Sequence, residues 1–229
     1  MPLLYHELST PEIRSRASDE RVILVIPVGS VEQHCNAPSG LDYMISLELS
    51  IKACRMLEDR KEGLCIVVPP IPYGFSPEWY HVGGTISLSL DTMRGLIHDL
   101  LSSLEKTGFR RIALVNAHGG NSGLLDAVVR EWLSQRSNNI RITIIDYWKR
   151  AGILLGHADK IEEAIAKYLG VINAGFSIEC EETTSLENIR QKPGPKEEAG
   201  ILGSAPETAN NIGELVVEAV YKALRGLIS

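Results

Sequence analysis

The stretch Val22-Ile23-Leu24-Val25-Ile26-Pro27-Val28, closed by Gly29, decides the fold. A near-continuous apolar run of this length, largely β-branched and without a polar face, reads as a strand buried on both sides. Working outward, Tyr43–Leu57 has helical spacing, and Leu64–Val68 returns to strand before Pro69 and Pro70 stop it. Thr92–Glu105 predicts a helix, with Met93, Leu96, Ile97, Leu100, Leu101 and Leu104 on one face and Gly108 placed to end it. Ile112–Val115 is a second buried-type strand, running straight into Asn116-Ala117-His118-Gly119-Gly120-Asn121. Leu125, Val128, Val129, Trp132 and Leu133 give the next helix its apolar stripe. Ile140–Tyr147 reads as a strand, and Ala158–Leu169 and Ile212–Leu227 as helices. Strands alternating with helices predict an α/β fold, a three-layer α/β/α arrangement around a mostly parallel sheet. Cys180 to Pro206, with Lys192-Pro193-Gly194-Pro195-Lys196, has no clear period and reads as a long functional or mobile connection.

The chain has 229 residues, 44% of them hydrophobic and 23% charged, which suits one core and excludes disorder, so residues 1–229 are expected to form a single domain. Its 29 acidic against 23 basic residues give a net charge of −6, which argues against nucleic acid or an anionic membrane as partner and favours a small molecule. No apolar run approaches the roughly twenty residues that span a bilayer. Met1–Glu20 is polar and broken by Pro2 and Pro11, unlike a secretory leader. Cys35, Cys54, Cys65 and Cys180 form no CxxC pair and are expected to be ordinary thiols in a reducing cytoplasm.

In open α/β sheets, ligands bind beyond the carboxyl ends of the strands. Two segments put metal-type side chains there: Gly29-Ser30-Val31-Glu32-Gln33-His34 with Asp42 after it, and His118 beyond the strand ending at Val115. Glu32 and His34, two apart, project to one side of an extended segment. Asp42 opens the next helix, where a carboxylate faces the positive helix end. Gly119 and Gly120 let backbone approach closely. Glu, Asp and two His form a mixed nitrogen and oxygen donor set suited to Zn, Mn or Fe. The chain has no GxxxxGK[ST] loop, no GxGxxG spacing and no GxSxG elbow. Ser30 has no base partner evident in the sequence.

Pro27–His34, Asp42 and Asn116–Asn121 together resemble the creatininase (creatinine amidohydrolase) family. Tyr73-Gly74-Phe75-Ser76, Gly83–Leu88 and Gly200-Ile201-Leu202-Gly203-Ser204-Ala205-Pro206 support the resemblance, which runs from Val22 to the last helix. It implies a doubly wound α/β domain, usually hexameric, with two divalent metals bridged by an Asp and a hydroxide. It also implies hydrolysis of a non-peptide C–N bond in a small amide, cyclic amide or formamide. Carried over residue by residue, Glu32, His34, Asp42 and His118 would be ligands, with Asp42 bridging. The fifth ligand would be Glu162, five residues after His157 in His157-Ala158-Asp159; Glu182, in Glu181-Glu182-Thr183-Thr184-Ser185, is its rival. Residues Ala164–Ile172 also read like the family's archaeal formylamino-pyrimidine deformylase branch.

Departures from the family pattern cluster beside the ligands. Cys35 stands where the family has Gly, the second His of its His-Gly-Pro-His stretch is missing, and the loop from His34 to Asp42 is one residue short. Trp79 replaces a His, with His81 close by, and Gly83 replaces a Pro. The resulting expectation is an amidohydrolase in which His157 carries protons, while Trp79, His81, Trp148, Gly119 and Gly120 line the substrate pocket. The competing expectations are a non-catalytic oligomeric member of the family and a peptidase of its redox-peptide maturation branch.

Overall fold

A strand with no polar face must be paired on both edges and covered on both sides. Each of the 7 residues of Val22–Val28 is buried. The computed structural model describes residues 3–80, 82–136, 139–180 and 209–228. In chain order it contains β1 (Leu3–Leu4), α1 (Thr10–Ala17), β2 (Val22–Val28), α2 (Leu41–Asp59), β3 (Leu64–Val67) and α3 (Leu90–Thr107). There follow β4 (Arg111–Asn116), α4 (Ser122–Ser134), β5 (Arg141–Asp146), α5 (Tyr147–Ala151), α6 (Lys160–Leu169) and α7 (Ala209–Arg225). The strands lie in the order β1-β3-β2-β4-β5, and every neighbouring pair is parallel.

Alternation across β2 builds the three layers. Ile23 and Val25 join a core with Ile45 and Leu49 of α2, Ile165 of α6, and Val216 and Val220 of α7. Leu24 and Ile26 join Met93, Ile97 and Leu101 of α3 and Leu125 and Trp132 of α4. Pro27 is tolerated in this central strand because β3 pairs only as far as Val25. The Pro27 carbonyl accepts from Ile71 N at 2.9 Å, so the missing N–H also faces the side beyond the end of β3.

Two readings of the sequence change. Pro11 does not break the N-terminal stretch; it sits in the first turn of α1, where its missing N–H costs no helix bond. The Glu12 carboxylate caps that helix by accepting from Ser9 N at 2.8 Å and Ser9 Oγ at 2.6 Å. The cysteines also need correcting, because Cys35 and Cys180 are joined in a disulfide 145 residues apart in sequence. Cys54 and Cys65 are free, and both are buried. The fold brings Cys35 and Cys180 together, and no local spacing announces it. The remainder of the predicted connection to Pro206, with Glu182 and the Gly200–Pro206 segment, lies outside the described residues.

The topology fixes where a site can form. From β2 the chain crosses to β3 on one side and then to β4 on the other, so the carboxyl ends of β2 and β4 border a switch point, in register at Val28 and Asn116. No helix among the described residues is long and apolar enough to cross a membrane.

Candidate metal centre

The residues that follow β2 and β4 converge with α2 and α6. Glu32 and His34 leave β2 in a loop held by Glu32 N donating to Ser39 O at 2.8 Å. Asp42 lies in the first turn of α2, and His118 follows β4 directly. Glu162 lies in the first turn of α6, whose N-cap Asp159 accepts from Ile161 N at 2.9 Å and Glu162 N at 2.8 Å. Glu32, His34, Asp42, His118 and Glu162 are all buried.

Asp42 faces two imidazoles with its two oxygens. Oδ1 is 3.1 Å from His34 Nε2, and Oδ2 is 3.1 Å from His118 Nδ1. Glu32 Oε2 is 3.3 Å from His118 Nδ1, and Glu162 Oε2 is 3.7 Å from His34 Nε2. Two triads able to hold a cation follow, Glu32/Asp42/His118 and His34/Asp42/Glu162, sharing Asp42. Glu32, His34 and His157 form a third such group. Glu32 Oε2, His34 Nε2 and Asp42 Oδ2 are buried without an aligned hydrogen-bond partner among the described residues. The candidate ligand atoms of each triad lie within 4.8 Å of one another, close enough to share a cation.

Backbone carbonyls set the imidazole tautomers, because a carbonyl only accepts. His34 Nδ1 donates to Glu32 O at 3.1 Å and leaves Nε2 for the cluster. His118 Nε2 donates to Phe75 O at 3.0 Å, with Ser76 Oγ also at 3.0 Å, and leaves Nδ1. Ser76 Oγ in turn lies 2.6 Å from Ser30 Oγ, so Ser30 is a buried support and not an exposed nucleophile. His157 lies in the loop before α6. Its Nε2 donates to Gln33 O at 2.7 Å, and its Nδ1 is 3.2 Å from Glu32 Oε1.

Crowded carboxylates and imidazoles shift one another's protons. Burial pushes the Glu32 carboxyl up, yet the imidazoles of His118 and His157 beside it outweigh burial and hold the group well below the usual range. Burial opposes charge on His34, but Asp42, Glu162 and Glu32 raise it to about 10. The carboxylates of Asp42 and Glu32 likewise overcome burial and raise His118. Glu162 is pushed up to about 8 by burial and by the Asp42 charge, against the pull of His34.

Beside the cluster lies a cavity of about 450 Å³ lined by Trp79, Trp148, Leu155, Gly119, Gly120 and the rim charges Glu78 and Lys149. Trp79 is buried and stacks on His157 with centroids 4.2 Å apart. Gly120 is required for packing as well, since a β-carbon there would run into Phe75 O and the His118 ring. His81 lies outside the described residues.

Sequence reading missed the supports: Gln33, Ser76, Asn116, Asn121 and Asp146. Asn116 Nδ2 donates to His118 O at 2.9 Å and to Asp146 Oδ1 at 2.7 Å, tying β5 to the His118 loop. The adjacency of Asn116 and Asn121 to His118 was the available signal. Ser76 offered none.

Glu163, next to Glu162, anchors α6 differently. It accepts from Lys160 Nζ at 2.8 Å, Lys167 Nζ at 2.6 Å and Ile178 N at 2.8 Å. Burial raises its carboxyl, but these donors outweigh burial and lower it to about 2 from an ordinary 4.5. A depressed folded-state pKa gives stability that is complete above the ordinary value and lost as pH falls through the folded one. Lys160 is 71% exposed, so its pairing is discounted for screening. Glu163→Gln is expected to cost about 1–2 kcal/mol at neutral pH. In urea unfolding curves that gap should close as pH is lowered from about 4.5 to about 2.

A parallel α/β sheet with carboxylates and imidazoles converging at its switch point defines a class of protein built to act on a bound ligand at that rim. The creatininase family profile, described as creatinine amidohydrolase, matches residues 6–228. The chain belongs to that family, a family of hydrolases. Creatinine amidohydrolase of Pseudomonas putida is 27% identical over 151 residues, covering 62% of this chain and 56% of that protein. A 3-dehydro-scyllo-inosose hydrolase of Thermotoga maritima is 30% identical over 118 residues, covering 50% of this chain and 35% of that protein. A mycofactocin precursor peptide peptidase of Mycolicibacterium smegmatis is 32% identical over 108 residues, covering 47% and 43%. The match thus spans about half the length of these relatives or less. Among solved structures, a creatininase described with Mn superposes with a TM-score of 0.73 at 21% identity, covering 99% of this chain and 98% of that one. A mutant creatininase described as Zn-Zn type gives 0.71 at 20% identity with the same coverage. These likenesses establish the three-layer α/β/α fold.

Proposed function

We propose that the chain is a metal-dependent amidohydrolase that cleaves the C–N bond of a small amide, cyclic amide or formamide. The observation that carries this reading is the pair of cation-sized triads sharing Asp42, with buried Glu32, His34 and Asp42 atoms left without aligned partners among the described residues. That donor set fits two divalent ions of the Zn, Mn or Fe type. Glu32, Asp42 and His118 would hold one and His34, Asp42 and Glu162 the other, with Glu162 as the fifth ligand. When bound, such ions supply Lewis acidity and make water acidic enough to attack at neutral pH.

The chain's own residues do the rest. Glu32 and the Gln33 carbonyl fix the His157 ring so that Nδ1 faces the reacting side, placed to take a proton and pass it to the leaving nitrogen. Trp79 backs that ring, and Trp148, Gly119 and Gly120 wall a cavity of about 450 Å³ that suits a small planar amide. The relatives named above act on creatinine, an inosose and a peptide by their descriptions, and the cavity size favours the small substrates.

A homo-oligomer is part of the same proposal, supported by exposed Tyr80, Ile86 and Leu90 in one stretch of chain. So is a single domain, supported by the family match over residues 6–228, and so is a cytoplasmic setting, in which the Cys35–Cys180 bond would be reversible.

The test is a screen of Mn- or Zn-loaded protein against creatinine, formylamino-pyrimidines and small lactams. Turnover of at least one is expected. His157→Ala should lower kcat by about 10²–10⁴-fold with metal content unchanged. Loss of a cation in His157→Ala would instead make His157 a ligand and remove its proton-carrying role.

A further inference from the structure

We propose that Cys35 and Cys180 form a reversible redox site that sets how tightly the chain holds the cation assigned to His34, Asp42 and Glu162. The inference rests on the two-cation reading above and adds a control to it. Cys35 follows His34 directly, and its disulfide partner Cys180 ends a short segment, residues 177–180, that is docked on two elements at once. One is the His34 loop: Asn36 Nδ2 donates to Ser177 O at 3.0 Å, and Glu179 N donates to Asn36 Oδ1 at 2.8 Å. The other is α6, where Ile178 N donates to Glu163 Oε2 at 2.8 Å and Lys160 Nζ reaches Ser177 Oγ at 3.0 Å. The segment therefore bridges the loop that carries His34 and the helix that carries Glu162, and the disulfide ties it covalently to the loop.

His34 Nε2 and Glu162 Oε2 lie 3.7 Å apart, against 3.1 Å from His34 Nε2 to Asp42 Oδ1, so the wider gap depends on how the loop and helix are clamped. In the other triad, Glu32/Asp42/His118, His118 is backed by Phe75, Ser76 and Asn116, which lie on other elements than this clamp, while Glu32 shares the His34 loop and Asp42 is common to both. Cys35 also holds a positive φ of 57°, a left-handed conformation unfavourable for a residue with a β-carbon. The crosslink helps to keep it there, and opening the crosslink lets the loop relax toward ordinary backbone angles.

Access suits exchange. Cys180 is exposed and Cys35 half-buried, whereas Cys54 and Cys65 are buried and do not compete. A dithiol reductant opens the bond in two steps. Its thiolate attacks Cys180 Sγ, forming a mixed disulfide and releasing Cys35 as a thiolate that takes a proton. The second reductant thiol then closes the reductant's own disulfide and frees Cys180, which is likewise protonated. Two electrons pass from the dithiol to the protein disulfide, and a disulfide oxidant reverses the exchange.

The experiment compares full-length protein before and after dithiothreitol, following native-state alkylation by mass spectrometry and Mn or Zn retention against a competing chelator. Alkylation of the native protein is expected at no cysteine before reduction and at Cys35 and Cys180 after it. On reduction the cation of His34, Asp42 and Glu162 should be held about tenfold more weakly, and the other should lose less. Cys180→Ser should show the weaker retention with or without dithiothreitol. Equal retention in both states, once alkylation confirms reduction, overturns this inference alone. So does a pair that stays alkylatable after treatment with excess oxidised glutathione. A chain that retains no cation in either state overturns the proposed function together with it.

Discussion

Asp42→Asn is expected to abolish metal-dependent stabilisation altogether, while His118→Asn removes only part of it. A ligand that binds the folded state at 100–1,000 times its Kd adds about 3–4 kcal/mol. For a chain of this size that is on the order of 10 °C in Tm. Asp42 belongs to both triads that flank it, its Oδ1 facing His34 and its Oδ2 facing His118, whereas His118 belongs to one. Neutralising Asp42 removes the anionic bridge while keeping the side chain's shape, so each triad loses one of its two carboxylates. Thermal unfolding with and without Mn or Zn reads the difference, and metal analysis should give near-zero content for Asp42→Asn. Turnover on any substrate found should fall about 10³-fold or more, since polarisation by such ions supplies several kcal/mol of barrier reduction. A full metal-dependent rise in Tm in Asp42→Asn would remove the shared-carboxylate arrangement from the proposal.

How much of this was legible beforehand follows from the range of each interaction. β2 and β4 were readable because a strand covered on both faces leaves an unbroken apolar run, and Val22–Val28 and Ile112–Val115 are such runs. The ligand candidates were readable because strand ends meet at one rim of a parallel sheet, so Glu32, His34 and His118 needed only a correct strand order to converge. α1 was missed because its signals are short: one capping glutamate, and a proline that reads as a break unless it stands in the first turn. The Cys35–Cys180 bond was missed for a different reason. Nothing local marks a contact made across 145 residues by the docking of residues 177–180 on a loop. The residues that orient the imidazoles were hardest to find. Gln33 acts on His157 and Glu32 acts on His34 through backbone carbonyls, which every residue has and no side-chain pattern reveals.

Asn121 makes the dependence of the site on such supports measurable. It is fully buried, and its Oδ1 accepts from Phe75 N at 3.0 Å while its Nδ2 donates to Gly29 O at 3.0 Å and to Asn116 Oδ1 at 3.3 Å. One side chain thus pins the loop after β2, the loop after β4 and the Phe75–Ser76 segment that backs His118. The packing leaves no slack, since a β-carbon on Gly74 would collide with Gly29 O and Asn121 Oδ1. Asn121→Ala strands the Phe75 N–H and the Gly29 carbonyl, and leaving a buried polar group unpaired costs about 1–3 kcal/mol. The expected loss of stability is about 3 kcal/mol, read as a lower urea midpoint with unchanged slope. Freed from Asn121, Phe75 and Ser76 no longer hold His118 Nε2, and metal affinity should fall about 10–100-fold in the protein that remains folded. A variant within about 0.5 kcal/mol of the parent would mean that water replaces these bonds without strain, and that the Phe75 loop stays in place by packing alone.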